Sequence, residues 1–111
     1  MSGYALHPDA LADLEEIREY IAQENLDAAD RVLTEIFEEF RAIAQFRNSG
    51  HLRPDLTSRP LRFTVVREYL ISYFAEEQHP VWILAVLHGR RNPRIIAALL
   101  RHRIQRPSVS A

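Results

Sequence analysis

At 111 residues with 47% apolar content, the chain can form one small core and has no room for a second domain. It has no cysteine, which excludes disulfides and cysteine-based zinc sites and fits a reducing cytoplasm. The formal net charge of −1 conceals a division: residues 1–50 carry 11 acidic side chains against 4 arginines, a net of −7, and residues 51–111 carry 4 against 10, a net of +6.

Tyr4–Leu6 is a short apolar segment that suits a first strand. His7-Pro8-Asp9 then starts a helix, with proline at the first helical position and Asp9 near the positive end of the dipole. Leu14, Ile17 and Ile21 form one buried stripe along it. Asn25 caps a second helix, where Ala29, Val32, Ile36, Phe40 and Ile43 repeat with the same spacing and Glu35, Glu38, Glu39 and Arg41 fall on other faces. A turn as short as Gln23–Leu26 predicts an antiparallel hairpin of helices.

Asn48-Ser49-Gly50 stops the second helix, and a loop runs to Pro60. Leu61–Val66 alternates as a strand with Leu61, Phe63 and Val65 on one face. Tyr69–Ala75 alternates with Tyr69, Ile71, Tyr73 and Ala75 on one face. Arg67-Glu68 between them is a tight hairpin turn without the usual glycine. Gln78–Pro80 turns the chain into Val81–Leu87, apolar throughout as in a central strand covered on both faces. Asn92-Pro93 opens a last, short helix with Ile95, Ile96, Leu99 and Leu100 as its apolar side. The domain is taken to residue 106; the tail from Arg106 to Ala111 is expected to fray, with 107–111 flexible. The expected class is α+β: an N-terminal helical hairpin packed on a small twisted antiparallel sheet, with a short C-terminal helix.

Every basic residue is arginine, so lysine is not available as acid, base or nucleophile. The 5 histidines include no pair at a spacing of three or four, and neither metal nor cofactor is expected. No apolar run reaches the roughly 20 residues that cross a bilayer. The segment MSGYALHPDA lacks the basic and apolar regions of a signal peptide, so the expected location is the cytosol, with no membrane partner.

The ordered series Tyr4-Ala5-Leu6, Ala12-Asp13-Leu14-Glu15-Glu16-Ile17, Tyr20-Ile21, Ala28-Ala29, Leu61-Arg62, Arg67, Tyr69-x-Ile71-x-Tyr73 and Val86-x-His88-x-Arg90-Arg91 resembles the RelE/ParE superfamily of bacterial toxins, closer to ParE. The resemblance covers roughly residues 4–100. It implies the toxin of a type II toxin–antitoxin system, of the plasmid-stabilisation kind, neutralised in a hetero-oligomer by a cognate antitoxin, ParD-like or similar. A disordered acidic and apolar antitoxin segment that folds on binding suits the basic half.

The resemblance leaves two targets open. A ParE-like toxin inhibits DNA gyrase without enzymatic chemistry, through a surface that includes the basic and apolar segment from Arg90 to Arg103. A RelE-like toxin cuts mRNA in the ribosome, which needs activation of a 2′-hydroxyl, charge stabilisation and a proton donor. Arg67, His88 and Arg90 are the catalytic candidates for that endoribonuclease, and an inactive relative that binds only an antitoxin is the third reading. RelE-type lysines are absent, and Ile96 falls where RelE has its tyrosine, which favours gyrase. Arg62, Arg90, Arg91 and Arg94 are the candidate partner-binding residues. Their ordinary alternatives are surface charge and, for Arg90-Arg91, ion pairs to helix-one carboxylates such as Glu15 or Glu16. His88 alternatively serves as a hydrogen-bonded, half-buried strand end.

Overall fold

A computed structural model describes residues 3–105; the proposed tail from Arg106 onward lies outside the described residues. The elements follow in the order β1 (Tyr4–Leu6), α1 (Pro8–Ala22), α2 (Leu26–Gln45), β2 (His51–Leu52), β3 (Arg62–Val66), β4 (Tyr69–Phe74), β5 (Val81–His88) and α3 (Pro93–Gln105). None of the helices among the described residues is long and apolar enough to cross a membrane.

Local chemistry sets the helical hairpin. The His7 ring accepts a hydrogen bond from the Asp9 N–H at 2.9 Å and caps α1, with Pro8 as its first residue. Asn25 Oδ1 accepts from the Ala28 N–H at 3.0 Å and caps α2. Ala29, Val32, Ile36, Phe40 and Ile43 are the buried residues of α2, the stripe expected from spacing. Each large side chain among them contributes roughly 1.5–3 kcal/mol relative to exposure.

The sheet runs in the order β1-β5-β4-β3-β2. Neighbours from β5 to β2 are antiparallel, while β1 joins β5 in parallel because the helical hairpin carries the chain back across the sheet. α1 and α2 cover one face, over Tyr69, Ile71, Tyr73, Val81, Ile83 and Val86. On the other face lie Leu61, Phe63, Leu70, Leu84, Ala85 and Leu87, covered by Leu56 and by Ile96 and Leu100 of α3.

The middle strand departs from simple alternation. Ile83 pairs with Tyr73 and Ala85 with Ser72, so Leu84 is an extra residue in the ladder. This bulge places Leu84 and Ala85 together over α3 and returns Val86 to the hairpin side. Two features differ from the sequence reading. His51–Leu52 adds a two-residue edge strand within the expected loop. Val65, expected on one face with Leu61 and Phe63, is 62% exposed while those two are buried. β2 pairs only with Arg62 and Phe63, and the cover from Leu56 and α3 opens into a groove at Val65.

Candidate functional site

The β3–β4 turn, the end of β5 and the outer faces of α1 and α2 meet in a groove. Ile17, Tyr20, Arg67, Glu68, Tyr69, His88, Arg90 and Arg91 are among its lining side chains. The two-residue turn puts Arg67 and Glu68 at the sheet end by the register Val66↔Tyr69. Arg67 has a φ of 55°, the left-handed backbone that a glycine would normally supply. Pairing of Tyr69 with His88 brings the end of β5 alongside, and the Gly89 N–H closes the ladder on the Glu68 carbonyl at 2.7 Å.

Both ring nitrogens of His88 are engaged. Nδ1 accepts from the Arg90 N–H at 3.1 Å, so the neutral ring carries its proton on Nε2 and donates it to Glu68, 3.1 Å away. The ring also stands edge-on to Tyr69, with centroids 5.6 Å apart. A lone pair for proton abstraction is therefore already occupied by the turn that follows β5.

The Arg67 guanidinium is forked onto Glu35, with Nε and Nη2 donating at 2.8 and 2.6 Å. Those bonds hold the Glu35 carboxyl below the usual glutamate range and raise the arginine in turn. Burial, followed by the charge of Glu68, raises the Tyr69 phenol. Because the Glu35 carboxyl is held down, its contribution to stability is fully present above the unfolded value and is lost as pH falls through the folded one. The stability difference between wild type and Glu35→Gln should therefore stay level above about pH 4.3 and disappear below it. The difference will be small, because both partners are exposed, and thermal denaturation across pH measures it.

The groove thus gathers Arg67, His88 and Arg90, together with Arg91, which lies 3.7 Å from Glu16. Only Arg90 among these four has no carboxylate within ion-pair distance among the described residues. Arg62 and Arg94 lie elsewhere. Arg62 sits opposite Tyr73 at the far end of β3, donating to the Gly50 carbonyl at 2.7 Å and the Asn48 carbonyl at 3.3 Å. Arg94 is exposed in the first turn of α3, where its N–H is capped by Asn92 Oδ1 at 2.8 Å. Ile96 is buried under the sheet, 3% exposed.

Sequence reasoning did not pick out Glu35 and Glu68 as partners, nor a second ion pair behind the groove. Arg103 of α3 reaches Asp13 of α1 with Nη1 at 2.6 Å and Nη2 at 2.9 Å, and Asp13 also accepts the Val86 N–H at 3.0 Å. A signal existed. Asp13 lies three residues after Ala10 and four before Ile17, and Arg103 lies three after Leu100, so each charge sits on a buried helical stripe.

No curated protein shows a significant match to the chain. The model of one family, described as the ParE toxin of type II toxin–antitoxin system, parDE, matches residues 4–93, from β1 to the first residue of α3. That span contains the helical hairpin, the whole sheet and every residue of the groove, so the chain belongs to the ParE toxin family of type II toxin–antitoxin systems.

Proposed function

We propose that the protein is a growth-inhibiting toxin that acts on DNA gyrase by binding, held inactive in the cytoplasm by a ParD-like antitoxin. Membership of the ParE family supports the toxin–antitoxin role and an antitoxin partner. The observation that carries the non-enzymatic reading is the state of His88, whose two ring nitrogens are spent on Arg90 N–H and Glu68. Arg67 is likewise spent on Glu35, so of the three catalytic candidates only the Arg90 guanidinium is uncommitted toward an RNA phosphate among the described residues. Arg90, Arg91, Arg94 and Arg62 are the residues proposed for partner contact, with Arg62 at the far end of β3, where it also orders the Asn48–Gly50 backbone.

Pulse labelling of DNA and protein synthesis after induction without antitoxin tests this reading. DNA synthesis should fall first, with translation spared, and purified toxin should block supercoiling by gyrase. His88→Ala should keep toxicity within several-fold of wild type, whereas loss of proton transfer in a nuclease costs about 10²–10⁴. An early fall in translation together with loss of toxicity in His88→Ala would replace the proposal with ribosome-dependent mRNA cleavage.

A further inference from the structure

We infer that the outer face of α3, with the adjoining loop around Arg59, binds the phosphate backbone of duplex DNA. The inference does not depend on gyrase being the target, because its test is a measurement on DNA alone, although Arg90 and Arg94 are shared with the surface proposed for partner contact.

The structure sorts the arginines by what they already hold. Arg53 is forked onto Asp55, Arg67 onto Glu35 and Arg103 onto Asp13; Arg91 lies by Glu16, and Arg62 is taken up by backbone carbonyls. Arg59, Arg90, Arg94 and Arg101 have no carboxylate within ion-pair distance among the described residues; Arg31 and Arg41 of α2 share that state, but they stand among the glutamates of their own helix. The first four are exposed, and all four lie on the α3 side of the sheet or in the turn that leads into α3. Arg59 and Arg101 line one depression together, with the loop from Pro54 as its wall; Asp55 also lines it, with its carboxylate taken up by Arg53.

Helical geometry aligns the rest. Ile96, Leu100 and Arg103 are the buried residues of α3. Arg94 and Arg101 are seven residues apart, which at 3.6 residues per turn puts them within about 20° of each other and about 10 Å apart along the axis. Their direction is opposite the buried stripe, at the centre of the outward face. No acidic residue occurs after Glu77, so nothing on α3 offsets these charges. Apart from Asp9 and Asp13, which are taken up by the inward-facing Arg103, the carboxylates of α1 and α2 belong to the hairpin on the other face of the sheet, and the resulting dipole turns the α3 face toward a polyanion.

The chemistry of the face selects the polyanion. An acidic peptide that folds on binding needs apolar anchors, and Ile95 is the one large apolar side chain of α3 among those exposed. A single strand is held by aromatic stacking, but Phe74, the nearby ring, is half-buried beneath the Arg59 guanidinium, 5.9 Å from its centroid. Unpaired arginines without a stacking platform suit the sequence-independent backbone of a duplex.

Fluorescence anisotropy of the full chain with a short labelled duplex of arbitrary sequence provides the test. Binding should fall in the non-specific range, Kd about 10⁻⁴–10⁻⁶ M, and weaken linearly in log Kd against log salt. The Arg94→Ala/Arg101→Ala variant should lower the slope by about 1.8, since each neutralised phosphate contributes about 0.9. Lysine at both positions should restore it. Both side chains are exposed, and circular dichroism verifies that the variant is folded. Absence of binding at low salt, or a slope unchanged in the folded alanine variant, would overturn the inference. So would displacement of DNA by polyglutamate at equal charge concentration, which would make the face a general site for acidic peptides. A gyrase assay that fails while DNA binding persists would count against the target alone.

Discussion

Asp13→Ala is expected to cost about 3–5 kcal/mol of folding stability, because it strands a buried cation. The side chains of Arg103 and Asp13 are only 9% and 13% exposed. Beyond Leu6 no strand among the described residues covers the edge of β5, and one backbone N–H and two side chains close that edge. The His7 N–H takes the Ile83 carbonyl at 2.9 Å, Arg103 Nη1 takes the Leu84 carbonyl at 3.2 Å, and Asp13 takes the Val86 N–H. Alanine at position 13 leaves the guanidinium with the Leu84 carbonyl and with Asp9 as its one carboxylate, 3.7 Å from its Nε, and leaves the Val86 N–H without its acceptor. Urea denaturation should show a lower midpoint at unchanged slope. The double variant Asp13→Leu/Arg103→Met should recover most of the loss, since an apolar pair of similar volume replaces a buried ion pair at little cost. A loss below about 1 kcal/mol in Asp13→Ala would mean that water replaces the carboxylate and the pair behaves as a surface one.

Gly50→Ala is the second substitution with a large expected effect, about 1–3 kcal/mol from overpacking alone. A Cβ there would stand 2.5 Å from the Tyr73 hydroxyl and 3.0 Å from the Phe63 carbonyl oxygen. Neither neighbour can retreat. Tyr73 is fully buried, its hydroxyl accepts the Gly50 N–H at 2.8 Å and donates to the Arg47 carbonyl at 3.2 Å, and Phe63 is held in the ladder between β2 and β4. Tyr73→Phe alone should cost about 1 kcal/mol for the lost hydrogen bonds. Combined with Gly50→Ala it should cost less than the two losses added, because removing the hydroxyl relieves the closest clash. Thermal denaturation of the three variants measures the coupling. Additive losses would show that the loop shifts as a unit and that the hydroxyl does not hold it.

The consequence reaches Arg62 through the loop that leads into β2. The Gly50 and Asn48 carbonyls are the acceptors for Arg62, so the same tyrosine that fixes the loop also fixes where that arginine is spent. Arg62, in sequence a candidate partner contact or a surface charge, also braces β3 against the loop after α2 in the fold. Arg94 reads the same way in sequence and does remain exposed, because its α3 position points away from the buried stripe.

Much of this architecture was legible in the chain. The cap Asn25, the helix start at Pro8, the buried stripe of α2, the glycine-free turn at Arg67-Glu68 and the acidic-to-basic division all follow from local preference and periodicity, which act over a few residues. The candidates Arg67, His88 and Arg90 also share one groove, because the hairpin register and the strand end are themselves local features. The tertiary structure alone decided what those groups can do. Arg67 finds Glu35 across 32 positions, Arg103 finds Asp13 across 90, and the extra residue Leu84 is set by the strand that β5 pairs with. Hydrogen bonds and ion pairs work only within a few ångströms, and which charges come that close depends on packing rather than on order in the chain.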